Sequence, residues 1–305
     1  MKAKILLVLL ILNTNLMAQE KFKWLDKSEY PFSAKYIQVN NQKLHYVDEG
    51  QGEVILFVHG TPSWSFDYRN IIKELQSNYR CIAIDHIGFG LSDKPKNYDY
   101  STINHSKTLE KFINEKQLDN ITLVVHDFGG PIGLNFAIEH PEKVKKIIIL
   151  NSWLWSSEND PDYIKLRRIL KSPLLPFLYR RLNFSPRFIL PQSFGDDKIS
   201  KKLLKQYIKP FANSSERNGA LAFAKSLLND QNWFEELWNR RNSISNKPTL
   251  FIWGMKDEVI KPHNLEKFEN GFTNSKTVKL ETSGHFPQEE QPQKVINAII
   301  EFIKG

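Results

Sequence analysis

The stretch VVHDFGGPIG, residues 124–133, closes an apolar run and opens onto two glycines. It has the form of the sharp strand-to-helix turn that presents a nucleophile as G-x-S-x-G. Val125, His126, Asp127, Phe128 and Gly129 fill the five positions, so a carboxylate stands where a hydroxyl is usual. A carboxylate is already an anion at neutral pH and needs no base to become a nucleophile. Attack on an acyl carbon would give an anhydride, a poor route to ester hydrolysis. Attack on a saturated carbon that carries a leaving group gives an alkyl ester, which a base-activated water can cleave. These residue types favour alkyl substitution.

Two further residues complete that chemistry. Asp257 follows the run TLFIWG in the loop Met255-Lys256-Asp257-Glu258, and His285 follows VKLET in the segment ETSGHFP. Nucleophile, acid and base in that chain order match one order in which hydrolytic triads occur. His285 is then the base that deprotonates water, and Asp257 fixes its tautomer and stabilises the imidazolium. His59-Gly60-Thr61-Pro62 follows VILFV, and its Thr61 amide is expected to join the Phe128 amide in an oxyanion hole. Singly, each residue has a plainer account: Asp127 as a helix cap, Asp257 and His285 as solvated loop residues. Three of them at strand ends, beside a nucleophile turn, point to catalysis.

The elements that must position these residues are legible as alternating runs. KLHYVDEG (43–50), VILFVHG (54–60), CIAID (81–85), ITLVVHD (121–127), KIIIL (146–150), TLFIWG (249–254) and VKLET (278–282) read as strands. Most are near-continuous Ile, Leu and Val, the pattern of parallel strands covered on both faces. Helical segments are expected at 66–76, 102–117, 129–140 and 288–304, with the first strands antiparallel. The rhythm breaks after Asn151 and resumes at Thr249. The intervening residues, 152–246, are helical, proline-punctuated and rich in aromatics, and they read as a lid whose rings mostly pack among themselves.

Composition bounds the rest. The 305 residues are 41% hydrophobic and 25% charged, an ordinary globular balance. Residues 1–18 carry Lys2 and Lys4, an apolar run from Ile5 to Leu12 and a small Ala18, the pattern of a signal peptide. That run is too short to span a bilayer, so an exported periplasmic or secreted chain without a stable membrane anchor is expected. Removing the two lysines takes the net charge from +8 to +6. The basic residues are spread out, with some local density between Lys165 and Arg187, and no nucleic-acid motif accompanies them. The single cysteine, Cys81, cannot form an internal disulfide and reads as a small buried hydrophobe. No metal or organic cofactor is implied, since no ligand cluster stands out.

Taken together, HYVDEG, HGTPSWSFDYR, YRCIAIDHIGFGLSDKP, VVHDFGGPIGL, NSWLW and SGHFPQEEQP resemble the haloalkane dehalogenase family of the α/β-hydrolase superfamily, from about Pro31 to the C-terminus. The resemblance implies an α/β-hydrolase fold: a mostly parallel twisted sheet flanked by helices, with a helical cap inserted after the sixth strand. Core residues would be 19–151 and 247–305, and the cap 152–246. It implies Asp127 as nucleophile, His285 as base and Asp257 as acid, acting on a small apolar organic substrate with water. Two positions depart from the family pattern, which holds the halide with Trp after the nucleophile and Asn or Glu after His-Gly. Phe128 and Thr61 stand there instead. Trp64, Trp153 and Trp155 are then the possible pocket residues that could supply an indole N–H. Epoxide hydrolysis is the main alternative; its alkoxide needs a proton donor, for which Tyr163, Tyr179 and Tyr207 are the lid candidates. A β-lactone-processing relative and a non-catalytic ligand-binding protein of the same fold also remain open.

Overall fold

A computed structural model describes residues 22–305; the expected signal peptide lies outside the described residues. Residues 22–31 form a unit of turns by themselves, in which Asp26 accepts from the amide and hydroxyl of Ser28. From Phe32 onward eight strands build one sheet: β1 (Lys35–Val39), β2 (Gln42–Glu49), β3 (Val54–Val58), β4 (Arg80–Ile84), β5 (Ile121–Asp127), β6 (Val144–Ser152), β7 (Thr249–Gly254) and β8 (Ser275–Leu280). Their order is β1-β2-β4-β3-β5-β6-β7-β8. β2 runs antiparallel to β1 and β4, and the other pairs are parallel. β1 is not among the runs read from the sequence. It is a half-exposed edge strand with little apolar signal, joined to β2 through Asn40 and Asn41, both at positive φ (52° and 63°). An Asn pair is suited to the tight hairpin turns that need left-handed residues.

Every residue of β5 is buried, which requires helices on both sheet faces. The helices that position the site are α1 (Arg69–Leu75), α2 (Thr102–Glu115), α3 (Gly129–Glu139), α4 (Pro161–Leu170), α5 (Leu175–Leu182), α6 (Lys201–Ile208), α7 (Asn218–Asn229), α8 (Gln231–Arg240), α9 (His263–Gly271) and α10 (Pro292–Lys304). Ser101 caps α2 by accepting from the Asn104 amide. The closing helix expected at 288–304 is broken into Pro287–Glu290 and α10, because Pro292 has no N–H with which to continue the first piece. The α10 face made by Val295, Ile296, Ile299, Phe302 and Ile303 is buried, each side chain contributing about 1.5–3 kcal/mol of apolar burial. Helices α4 to α8 all fall between β6 and β7. Cys81 is buried in β4, its thiol pushed up to about 12 by burial.

The sheet order reverses direction between β3 and β5, which lie side by side. Loops leaving the carboxyl ends of two such strands part to opposite faces and open a crevice. The loop after β3 carries Gly60 and Thr61, and the turn after β5 carries Asp127.

Candidate active site

Asp127 ends β5 with φ at +51°, a left-handed conformation that few side chains adopt without tertiary support. The support is visible on both sides. Ser152 Oγ donates to the Asp127 carbonyl at 2.7 Å, and the Thr61 amide donates to Asp127 Oδ1 at 2.7 Å. Neighbouring glycines make room: a Cβ on Gly60 would lie 2.0 Å from Asp127 Oδ1, and one on Gly129 would lie 2.0 Å from the Val58 carbonyl oxygen. Of the two expected backbone donors, only the Thr61 amide hydrogen-bonds to the carboxylate among the described residues.

His285 stands between the two aspartates. Its Nδ1 is 2.8 Å from Asp257 Oδ2 and its Nε2 is 3.4 Å from Asp127 Oδ2. Burial pushes the imidazole down, but Asp257 and Asp127 push harder, and the ring is raised to about 10. With both carboxylates in place it is therefore an imidazolium at neutral pH. Asp257 is itself held by several donors: the Val259 and Ile260 amides on Oδ1, and the Asn151 amide group at 2.8 Å on Oδ2. Asn151, next to last in β6, ties itself to β7 as well, accepting from the Gly254 amide at 2.9 Å. This fixing role was not assigned from the sequence, where Asn151 marked only the end of a strand.

The loop that bears His285 is fastened from three directions. The His126 ring donates through Nε2 to the His285 carbonyl at 2.6 Å. The His285 amide donates to the Ser193 carbonyl at 2.8 Å, so the base is tied to the segment that follows α5. Glu290 accepts from the amides of Gly284 and Gly195 at 2.9 and 2.7 Å, and burial raises its carboxyl to about 7. His126, Gln288 and Glu290 are further residues that sequence reasoning missed. Their one signal was polarity beside motif residues, which burial alone turns into a role.

Asp127 and His285 line a mostly apolar cavity of about 470 Å³ whose wall also includes Thr61, Phe128, Trp153 and Tyr179. Phe128 is packed edge-to-face on Trp153 at 4.8 Å and stacked on Phe223 at 4.6 Å. The hydroxyl of Thr61 is buried and has no hydrogen-bond partner among the described residues.

Of the three tryptophans named as possible pocket residues, only Trp153 lines the cavity. Trp64 is instead wholly buried, stacked on Phe66 with its N–H given to the Gln206 carbonyl at 3.1 Å. Trp155 packs against Trp238 and Phe268 at 5.0 and 4.8 Å. Both are packing residues, and neither lines the cavity. The lid tyrosines divide likewise. Tyr163 lines the cavity but gives its hydroxyl to the Leu227 carbonyl at 2.6 Å. Tyr207 lies outside it, bonded to Asp67 and Glu289. Tyr179 remains in the wall, its hydroxyl raised to about 12 by burial, an effect the Asp127 charge adds to. Among the described residues no group of three His, Cys, Asp or Glu side chains is placed to hold a metal ion.

Comparison with known proteins places this geometry. The family described as the α/β hydrolase fold matches residues 53–292. Haloalkane dehalogenase 2 of Mycobacterium tuberculosis (strain ATCC 25618 / H37Rv) is 32% identical over 90% of this chain and 96% of its own length. A cis-3-alkyl-4-alkyloxetan-2-one decarboxylase of Shewanella oneidensis is 33% identical over 90% of this chain and 89% of its own. Among solved structures, haloalkane dehalogenase DatA from Agrobacterium tumefaciens C58 superposes with a TM-score of 0.81 at 25% identity, covering 89% of this chain and 96% of that one.

Proposed function

Since the chain belongs to the haloalkane dehalogenase family of α/β-hydrolases, we propose that it hydrolyses the carbon–halogen bond of a small apolar organic substrate. The observation that carries this reading is His285 set between Asp127 and Asp257 at the wall of an apolar cavity. With Oδ1 of Asp127 held by the Thr61 amide, Oδ2, which faces His285 Nε2 at 3.4 Å, is the oxygen that attacks carbon. The bond from Oδ2 to carbon forms as the bond to halogen breaks, and halide leaves with the electron pair. The ester carries no charge, so His285 loses one of the two carboxylates that hold its proton and releases it to solvent as the counterpart of the departing halide. Neutral His285 then takes a proton from water as the water oxygen attacks the ester carbonyl carbon. Oδ1 becomes the oxyanion, facing the Thr61 amide that already bonds it. Collapse breaks the bond to the alkoxide oxygen, which takes the proton from the His285 imidazolium and leaves as an alcohol. The new carboxyl gives its proton back to His285 to restore the carboxylate.

The main alternative, epoxide opening, needs a proton delivered to an alkoxide. Tyr163 and Tyr207 have committed their hydroxyls elsewhere, which leaves Tyr179 as the single lid tyrosine for that task. Halide leaves as a weakly basic anion and needs donors but no proton, a demand that the unpartnered Thr61 hydroxyl and the Trp153 indole suit better.

Bromoalkanes and epoxides assayed side by side test the reading, with halide and diol as the readouts. Halide release without diol is expected. His285→Gln should trap the alkyl ester, adding the substrate mass to the peptide that contains Asp127; an adduct on another residue would overturn the proposal. Export is part of the same reading, supported by Lys2, Lys4, the Ile5–Leu12 run and Ala18. N-terminal sequencing of protein recovered outside the cytoplasm tests it.

A further inference from the structure

We propose that the α4–α5 face of the cap docks reversibly on a bilayer containing anionic phospholipid, and that the apolar substrate enters the cavity from the lipid. The site takes its substrate class from the reading above, but the docking is argued from the surface alone.

Nine large hydrophobic side chains are exposed among the described residues, and seven of them fall between Ile164 and Phe188, on α4, α5 and the turns around them. Ile169, Leu174 and Phe177 are each more than half exposed, at 57%, 63% and 54%. Surface hydrophobes scattered singly need no explanation, whereas a concentration of this kind marks an interaction face.

The same segment is strongly basic. Residues 161–190 hold seven Lys and Arg against the single Asp162, a net +6 where the whole chain carries +8. Asp162 is turned to Lys261 at 2.7 Å and Lys165 at 3.7 Å. Among the described residues no carboxylate forms an ion pair with Arg167, Arg168, Lys171, Arg181 or Arg187. Exposed aliphatic and aromatic groups interleaved with unpaired cations match an anionic lipid interface, where headgroups meet the charges and acyl chains meet the apolar tips. No helix among the described residues is long and apolar enough to cross a membrane, so contact of this kind is peripheral.

The position of the cavity favours lipid over a protein partner. Leu166 and Ile169 are both exposed on α4 and line the cavity, as does the exposed Val259 across from them. The apolar face is thus continuous with the cavity mouth. A protein seated there would cover the mouth, whereas a bilayer holds apolar substrate in solution against it.

The test is flotation of the purified protein with phosphatidylcholine vesicles, with and without phosphatidylglycerol, at low and high salt. Binding is expected only with phosphatidylglycerol and is expected to weaken with salt. Replacing Arg168, Lys171 and Arg181 by Ala should lower the partition about fivefold for each cation removed. Leu174→Ser with Phe177→Ser should lower it too, while turnover of a water-soluble bromoalkane stays unchanged in both variants, none of these residues lining the cavity. Equal binding to uncharged vesicles, or no binding to either, overturns the proposal. So does a concentration-dependent dimer, seen by light scattering, that Leu174→Ser with Phe177→Ser abolishes while vesicles remain unbound. If a variant fails to fold by circular dichroism, the lipid and salt dependence of the parent protein decides. A failure of dehalogenation leaves the flotation result standing, so the two readings are separable.

Discussion

The imidazole of His126 donates a hydrogen bond to the main-chain carbonyl of His285 at 2.6 Å. The residue that precedes the nucleophile therefore holds the loop of the base. Its other ring nitrogen faces Gln288 Nε2 at 3.1 Å, and Gln288 also donates to Asp67 Oδ2 at 2.8 Å. Tyr207, on cap helix α6, closes the chain with its hydroxyl 3.0 Å from Asp67 Oδ1 and 2.6 Å from Glu289 Oε2. His126, Asp67, Gln288 and Tyr207 are all at most 1% exposed, so these bonds are made away from water and the groups have few alternative partners.

Replacing His126 with Phe keeps a ring of similar size and removes the bond to the base loop. Turnover should fall by about a hundredfold, the scale set by a misplacement of about 1 Å, with little change in KM. Titrating the active sites by the first-turnover halide burst separates this from a general loss of folded protein, which would lower the active fraction and leave turnover per active site as it was.

Asp257→Asn should cost about 10³–10⁴-fold in turnover, because His285 loses the group that sets its tautomer and stabilises its charge. Since Asp127 needs no base to attack carbon, the loss should fall on ester hydrolysis. A rapid burst of halide followed by slow turnover is the expected time course, read by quenched-flow.

Folding raises the His285 imidazole from 6.5 to about 10. Between those values the folded chain keeps a proton that the unfolded chain has released. Its contribution to stability is therefore full below pH 6.5 and is lost as pH rises through about 10. Thermal melts from neutral pH to pH 10 should show the parent protein losing more stability than His285→Gln, which lacks this titration. Parallel curves would dismiss the assignment.

The Thr61 hydroxyl is buried without a partner among the described residues, so Thr61→Val removes a donor at no hydrogen-bond cost to the fold. Halide release should drop while the melting temperature holds or rises. Phe128→Trp adds an indole N–H beside the nucleophile and should raise halide release. The site is already packed by Trp153 and Phe223, so it should also cost about 1–3 kcal/mol of stability. Halide release that is unmoved by either change would mean that the leaving group sits elsewhere in the cavity.

Much of the scaffold was legible because its signals are local. Continuous apolar runs fix the buried strands β3 to β7, and the glycines beside Asp127 belong to a turn whose steric demands are met within a few residues. β1 escaped because an edge strand exposes alternate residues and needs no apolar run. The break before Pro292 has a local cause, the missing proline N–H, but the amphipathic pattern of 288–304 runs on across it and hides it.

The sequence by itself determined the order of a nucleophile, an acid and a base at strand ends, and the kind of carbon a carboxylate in that turn can attack. Bond chemistry follows from residue type, and strand ends follow from apolar periodicity. Only the tertiary structure decided that Trp153 faces the cavity while Trp64 and Trp155 pack elsewhere, and that Tyr179 is the lid tyrosine left for the site. It also decided that His126 and Asn151 hold the base and the acid. Those outcomes depend on which residues distant in the chain meet across the sheet ends and the cap. Side-chain direction there is set by packing against non-local neighbours, which no run of adjacent residues encodes.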